Sequence, residues 1–125
     1  MDSVLKKMDL EFLGSGKHKI SLDKFIESKD SVFLDVRDRR EVGALSINLD
    51  IFGIETVIIP IDELPDRLDE LPKNREIFCF CSSGTRSAWA YIYLLSKGYK
   101  TRWLDASNED FATILKPGKI LKVVK

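Results

Sequence analysis

Histidine and cysteine are scarce in this chain. Its 125 residues include one histidine, His18, and two cysteines, Cys79 and Cys81. So few soft ligands exclude a structural zinc site, which is built from four nitrogen or sulfur donors. The cysteines stand two apart in a strand-like run, a spacing that relaxed disulfide geometry does not span, so a disulfide framework is excluded as well. The single histidine lies in the polar run Gly16-Lys17-His18-Lys19. It reads as a solvated loop residue and leaves little for a serine or cysteine triad. Net charge is also absent, because 20 basic and 20 acidic residues cancel. No general attraction to nucleic acid or to an anionic membrane follows. No apolar run approaches the length of a membrane span. The start, Met1-Asp2-Ser3-Val4-Leu5-Lys6-Lys7, has no apolar h-region of a signal peptide, so a cytoplasmic location is expected. Repeats and low-complexity segments are missing. Gly14-Ser15-Gly16-Lys17 has the composition of a phosphate loop, but the Walker spacing needs glycine where Glu11 stands and Ser or Thr where His18 stands. It reads as a turn.

What is present fits one domain with a core. Leu10-Glu11-Phe12-Leu13 reads as a short strand or part of an N-terminal arm. Ser21 is placed to cap a helix from Leu22 to Glu27 with Leu22, Phe25 and Ile26 on its apolar face. Val32-Phe33-Leu34-Asp35-Val36 is apolar with almost no alternation, as expected of a strand in a parallel sheet covered on both faces. Similar runs at Thr56–Ile59, Ile77–Phe80 and Thr101–Leu104 predict three more strands. Pro65 suits the first turn of a short helix ending near Leu71. Ser107 and Asp110 match a capping box that opens a helix stopping before Pro117. Residues 42–55 show no clean period. Trp89 and Trp103 read as core or pocket wall. The segment 117–125 alternates weakly between apolar and basic and reads as a strand-like tail. Strands alternating with helices predict an α/β sandwich on a mostly parallel sheet, with its site beyond the carboxyl ends of the strands.

Two stretches occupy those ends. One is Asp35-Val36-Arg37 with Glu41 nearby. The other is Cys81-Ser82-Ser83-Gly84-Thr85-Arg86-Ser87, which follows the apolar run Ile77–Phe80 and precedes a helix from Ala88 to Leu95 closed by Gly98. A strand thus ends on a cysteine, and a glycine-bearing loop leads into a helix. Successive N–H groups in such a loop, backed by a helix N-terminus, form an anion cradle. A thiol held there has its thiolate stabilised and its pKa lowered. Cys79, by contrast, reads as a small buried strand residue, with a resolving thiol as the alternative.

Together, and in this order, the two stretches resemble a single rhodanese-like domain. The resemblance runs from about Ile20 to Pro117 and extends to Ile59-Pro60-Ile61-Asp62-Glu63-Leu64 and Gly98-Tyr99. It implies a rhodanese-like three-layer α/β sandwich over 20–117, with residues 1–19 as an N-terminal arm and 118–125 as a C-terminal tail. It implies that Cys81 is the nucleophile of a sulfurtransferase, carrying sulfane sulfur as a persulfide in the loop Ser82, Ser83, Gly84, Thr85, Arg86 and Ser87. Asp35, Arg37 and Glu41 would support that loop, with Arg86 shaping it rather than touching substrate. The donor would be a small sulfur anion such as thiosulfate or a persulfide. The acceptor would be cyanide, glutathione or a protein thiol, with sulfur-carrier and thioredoxin-like proteins among the candidate partners. A non-catalytic or carrier domain is the alternative. No metal or organic cofactor is implied. The loop holds four residues between Cys81 and Arg86, one fewer than in related phosphatases and arsenate reductases, so sulfur fits it better than a tetrahedral phosphate. The chain departs from the family at 44–59, where a His-Ile-Pro-Gly-Ala-type stretch is usual, and at Ala106-Ser107, where a glycine pair is usual. The loop also has no lysine ahead of Gly84 to favour a dianion.

Overall fold

In a computed structural model the described residues are 1–124. In chain order the elements are α1 (Asp2–Lys6), α2 (Leu10–Gly14), β1 (Lys19–Ser21), α3 (Leu22–Phe25), β2 (Val32–Asp35), α4 (Arg39–Ala44), β3 (Glu55–Ile58), β4 (Ile77–Phe80), α5 (Thr85–Ser96), β5 (Thr101–Asp105), α6 (Asn108–Ile114) and α7 (Pro117–Val124). Short 3-10 turns lie at Asp50–Phe52, Ile61–Asp66 and Leu68–Glu70. The strands form one sheet in the order β1-β5-β4-β2-β3, and every pairing is parallel.

The lack of alternation in β2 and β4 has its cause in this layering. Phe33, Phe78 and Phe80 enter a core shared with Phe25 of α3 and Phe111 of α6. Val32, Leu34, Ile77 and Cys79 enter a second core under Ala90, Tyr91 and Leu94 of α5. Both faces are dry, so both sets of side chains are apolar. The result is the expected three-layer α/β sandwich. Among the described residues no helix is long and apolar enough to cross a membrane.

Several local expectations give way. Leu10–Gly14 is helical, because Asp9 accepts the Phe12 N–H at 2.9 Å and caps the turn. β1 has only three residues and one buried side chain, Ile20, too short a run to show a period. Ser21 makes no side-chain cap, since it is still paired in β1 opposite Asp105, and α3 ends at Phe25 rather than Glu27. Pro65 sits inside a 3-10 turn, where no α-helix forms. The segment after Pro117 is a helix instead of a strand. Proline is preorganised for a first helical position, and Ile120 packs against the first core; Lys125 lies outside the described residues. The segment before β3 buries Ile47, Leu49, Phe52 and Ile54 with only one short 3-10 turn among them, too little to set a period. Trp89 is 62% exposed, because Ala90, Tyr91 and Leu94 form the inward stripe of α5. His18 is not free in solvent. It is half-buried and stacks on Trp103 with ring centroids 6.2 Å apart, and burial lowers its pKa. The capping box of α6 forms as expected, with Ser107 and Asp110 exchanging bonds of 3.2 and 2.9 Å.

Candidate active site

Cys81 is the first residue beyond β4, at the carboxyl end of a strand in the interior of the sheet. Gly84 turns the loop with φ 91°, a left-handed conformation that other residues enter only at a cost. Its turn aims two backbone donors at one point. The N–H groups of Gly84 and Ser87 donate to Cys81 Sγ at 3.0 and 3.3 Å. Helix α5 has no side-chain N-cap and no acidic residue in its first turn. The cysteine sulfur fills that role, taking an N–H that would otherwise lack a partner and lying at the positive end of the helix.

These contacts set the thiol's acidity. Burial of Cys81 opposes ionisation. Hydrogen bonding with the Ser87 hydroxyl, and hydrogen bonds from the N–H groups of Ser87, Ser83 and Gly84, outweigh it and bring the pKa below the ordinary thiol range. Cys79, fully enclosed, has its pKa pushed up to about 12 by burial, and its sulfur lies 3.5 Å from Thr101 Oγ1.

Arg86 turns away from the sulfur. It donates to both oxygens of Glu41, at 2.5 and 2.9 Å, and to Ser82 Oγ at 3.2 Å. Ser82 Oγ in turn donates to Glu41 at 3.2 Å. Glu41 also accepts the Asp38 N–H at 3.1 Å within the capping box of α4. One carboxylate thus joins the start of α4 to the loop. The Arg86 hydrogen bonds, foremost, hold its pKa down to about 2.

Asp35 and Arg37 form a separate unit. Their side chains are 1% exposed and paired at 2.8 and 2.9 Å. Arg37 also donates to the Leu45 carbonyl at 2.8 Å and lies 5.4 Å from the Phe80 ring centroid. No hydrogen bond described for this pair reaches residues 81–87. The pair fastens the end of β2 and the chain after α4 around Phe80, the residue before Cys81. Ser83 and Thr85 are exposed at the mouth of the loop.

One contributor is not visible in the sequence pattern. Trp103, on β5, donates its indole N–H to Ser87 Oγ at 2.8 Å. A tryptophan in a short strand of mixed composition carries no local sign of that contact.

Residues 20–113 match the model of the rhodanese-like domain. A protein named sulfurtransferase from Allochromatium vinosum is 29% identical over 76 residues, covering 61% of this chain and 65% of that protein. The match therefore spans just under two thirds of that relative's length. The crystal structure of a rhodanese-like domain protein from Staphylococcus aureus is 28% identical with a TM-score of 0.62, covering 74% of this chain and 89% of that one. An NAD-dependent persulfide reductase from A. fulgidus is 33% identical with a TM-score of 0.60, covering 78% of this chain and 16% of that one.

Proposed function

The chain belongs to the rhodanese-like domain family, and on that premise we propose that it transfers sulfane sulfur through a persulfide on Cys81. The observation that carries this reading is the convergence of the Gly84 and Ser87 N–H groups on Cys81 Sγ. The thiolate attacks the outer sulfur of the donor. A new Sγ–S bond forms, the donor's S–S bond breaks, and sulfite or a thiolate departs with the electron pair. The charged terminal sulfur remains in a loop rich in N–H groups. An acceptor nucleophile then attacks that sulfur, and Cys81 leaves as the thiolate it was, giving ping-pong turnover. No general acid is needed, because both leaving groups depart as stable anions.

The donor class follows from charge. Arg86 is committed to Glu41, and the rest of the loop is neutral, so little positive charge faces a thiosulfate dianion. An organic or protein-borne persulfide suits the loop better. A partner-binding or carrier role is the second reading, favoured by Trp89, exposed one turn into α5 beside the loop.

Incubation with thiosulfate, and separately with a polysulfide, followed by intact-mass measurement beside Cys81→Ser, tests the reading. A species heavier by one sulfur, absent in C81S and discharged by cyanide, is expected. No added sulfur from either donor would overturn transfer from small-molecule donors, in favour of the binding domain or a protein-specific donor.

A further inference from the structure

Ser87 Oγ has three polar neighbours. The Trp103 indole N–H donates to it at 2.8 Å, it donates to the Gly84 carbonyl at 3.0 Å, and the Cys81 thiol donates to it at 3.4 Å. A hydroxyl offers one hydrogen and two lone pairs, so all three places are taken while Cys81 is a thiol. On ionisation the sulfur can only accept, and the hydroxyl hydrogen must turn from Gly84 toward it. The indole can only donate, so its bond to Oγ is the same in both states. The Gly84 carbonyl keeps the Ala88 N–H, at 3.0 Å, when the hydroxyl leaves it.

We propose that Trp103 is a positioning residue for Cys81, holding the Ser87 oxygen so that its hydroxyl alternates between the Gly84 carbonyl and the cysteine sulfur. Accepting the indole N–H also polarises the hydroxyl and makes it a better donor to the anion. Trp103 is itself fixed in place by His18 and lies close against Gly84. Its ring stacks on His18, its backbone N–H donates to the His18 carbonyl at 2.9 Å, and its Cζ2 lies 3.2 Å from where a side chain on Gly84 would begin. The proposal rests on Cys81 acting as a thiolate, as the sulfur-transfer reading requires.

The test is the pH dependence of iodoacetamide alkylation of Cys81, read by intact mass on the full chain. Ser87→Ala should raise the midpoint by about one pH unit and Trp103→Phe by about half a unit, as expected for losing one direct and one indirect bond to a charged group. The double variant should match S87A alone. An unchanged midpoint in W103F, or shifts that simply add, would overturn the proposal. A second measurement uses the unaltered protein and does not depend on either variant folding. The Trp103 indole N–H resonance should titrate with the Cys81 midpoint while that of the exposed Trp89 stays still. A Trp103 resonance silent through that midpoint would also overturn the proposal. Neither readout needs a sulfur donor. A chain that refuses sulfur yet gives these shifts keeps the Trp103 role and loses the sulfurtransferase reading.

Discussion

Cys79 and Cys81 are separated by one residue and belong to the same apolar cluster, yet their chemistry diverges. Cys79 is inside β4, where the backbone N–H groups are spent on neighbouring strands and, among the described residues, the sulfur's one hydrogen-bonding neighbour is Thr101. Cys81 is one step past the strand, where the ladder has ended and the free N–H groups of a loop and a helix start are available. Burial acts on both thiols and raises both pKa values. Only at Cys81 do hydrogen bonds to the charged form overcome it. The acidity of each thiol is decided by where the backbone has donors to spare.

The two ion pairs repeat the contrast. Asp35 and Arg37 are almost fully enclosed, whereas the side chains of Arg86 and Glu41 are 25% and 36% exposed. The enclosed pair is structural in the strict sense: removing one member strands the other without solvent. The outer pair is softened by water and joins the loop to the start of α4.

The largest effect expected from the first contrast is in alkylation. With iodoacetamide at pH 8, Cys81 should react roughly a thousandfold or more faster than Cys79, because reaction follows the thiolate fraction. Peptide mapping of the modified protein checks this, and comparable labelling of the two would erase the distinction. Next in size is Asp35→Ala against Glu41→Ala in urea unfolding. Stranding the buried Arg37 should cost about 3–5 kcal/mol, and losing the half-exposed partner of Arg86 about 1 kcal/mol or less. Similar losses would mean that the two pairs are not different in kind. The smallest effect is in acid. Glu41 has its pKa lowered from 4.5 to about 2 in the folded chain. Its contribution is therefore complete above about pH 4.5 and is lost as the pH falls toward 2. Screening should hold it below about 1 kcal/mol. Stability curves for the parent and Glu41→Gln should converge across that window, and a constant gap between them would reject the assignment.

How much of this could be read beforehand depends on the range of each interaction. The strands at 32–36 and 77–80 announced themselves because burial on both faces demands uninterrupted apolar runs. The loop announced itself because a glycine and a helix start follow directly after the cysteine. The helix after Pro117 was hidden by a weak apolar–basic alternation that suits a strand as well as a short amphipathic helix. The segment around Ile47, Leu49, Phe52 and Ile54 was hidden because its side chains enter the core from loops and a single 3-10 turn, which set no period. Trp89 misled because its bulk suggested burial, while the inward stripe of α5 was already filled by smaller neighbours.

By itself the sequence determined a two-faced parallel sheet and a thiol poised at the start of a helix, because both follow from residues close together in the chain. The tertiary structure alone decided that Arg86 would pair with Glu41, that Asp35 would keep to Arg37, and that Trp103 would reach Ser87. The first and last of these pairs join residues far apart in the chain. They meet only because β4 lies between β2 and β5, and local composition carries no record of which strands become neighbours.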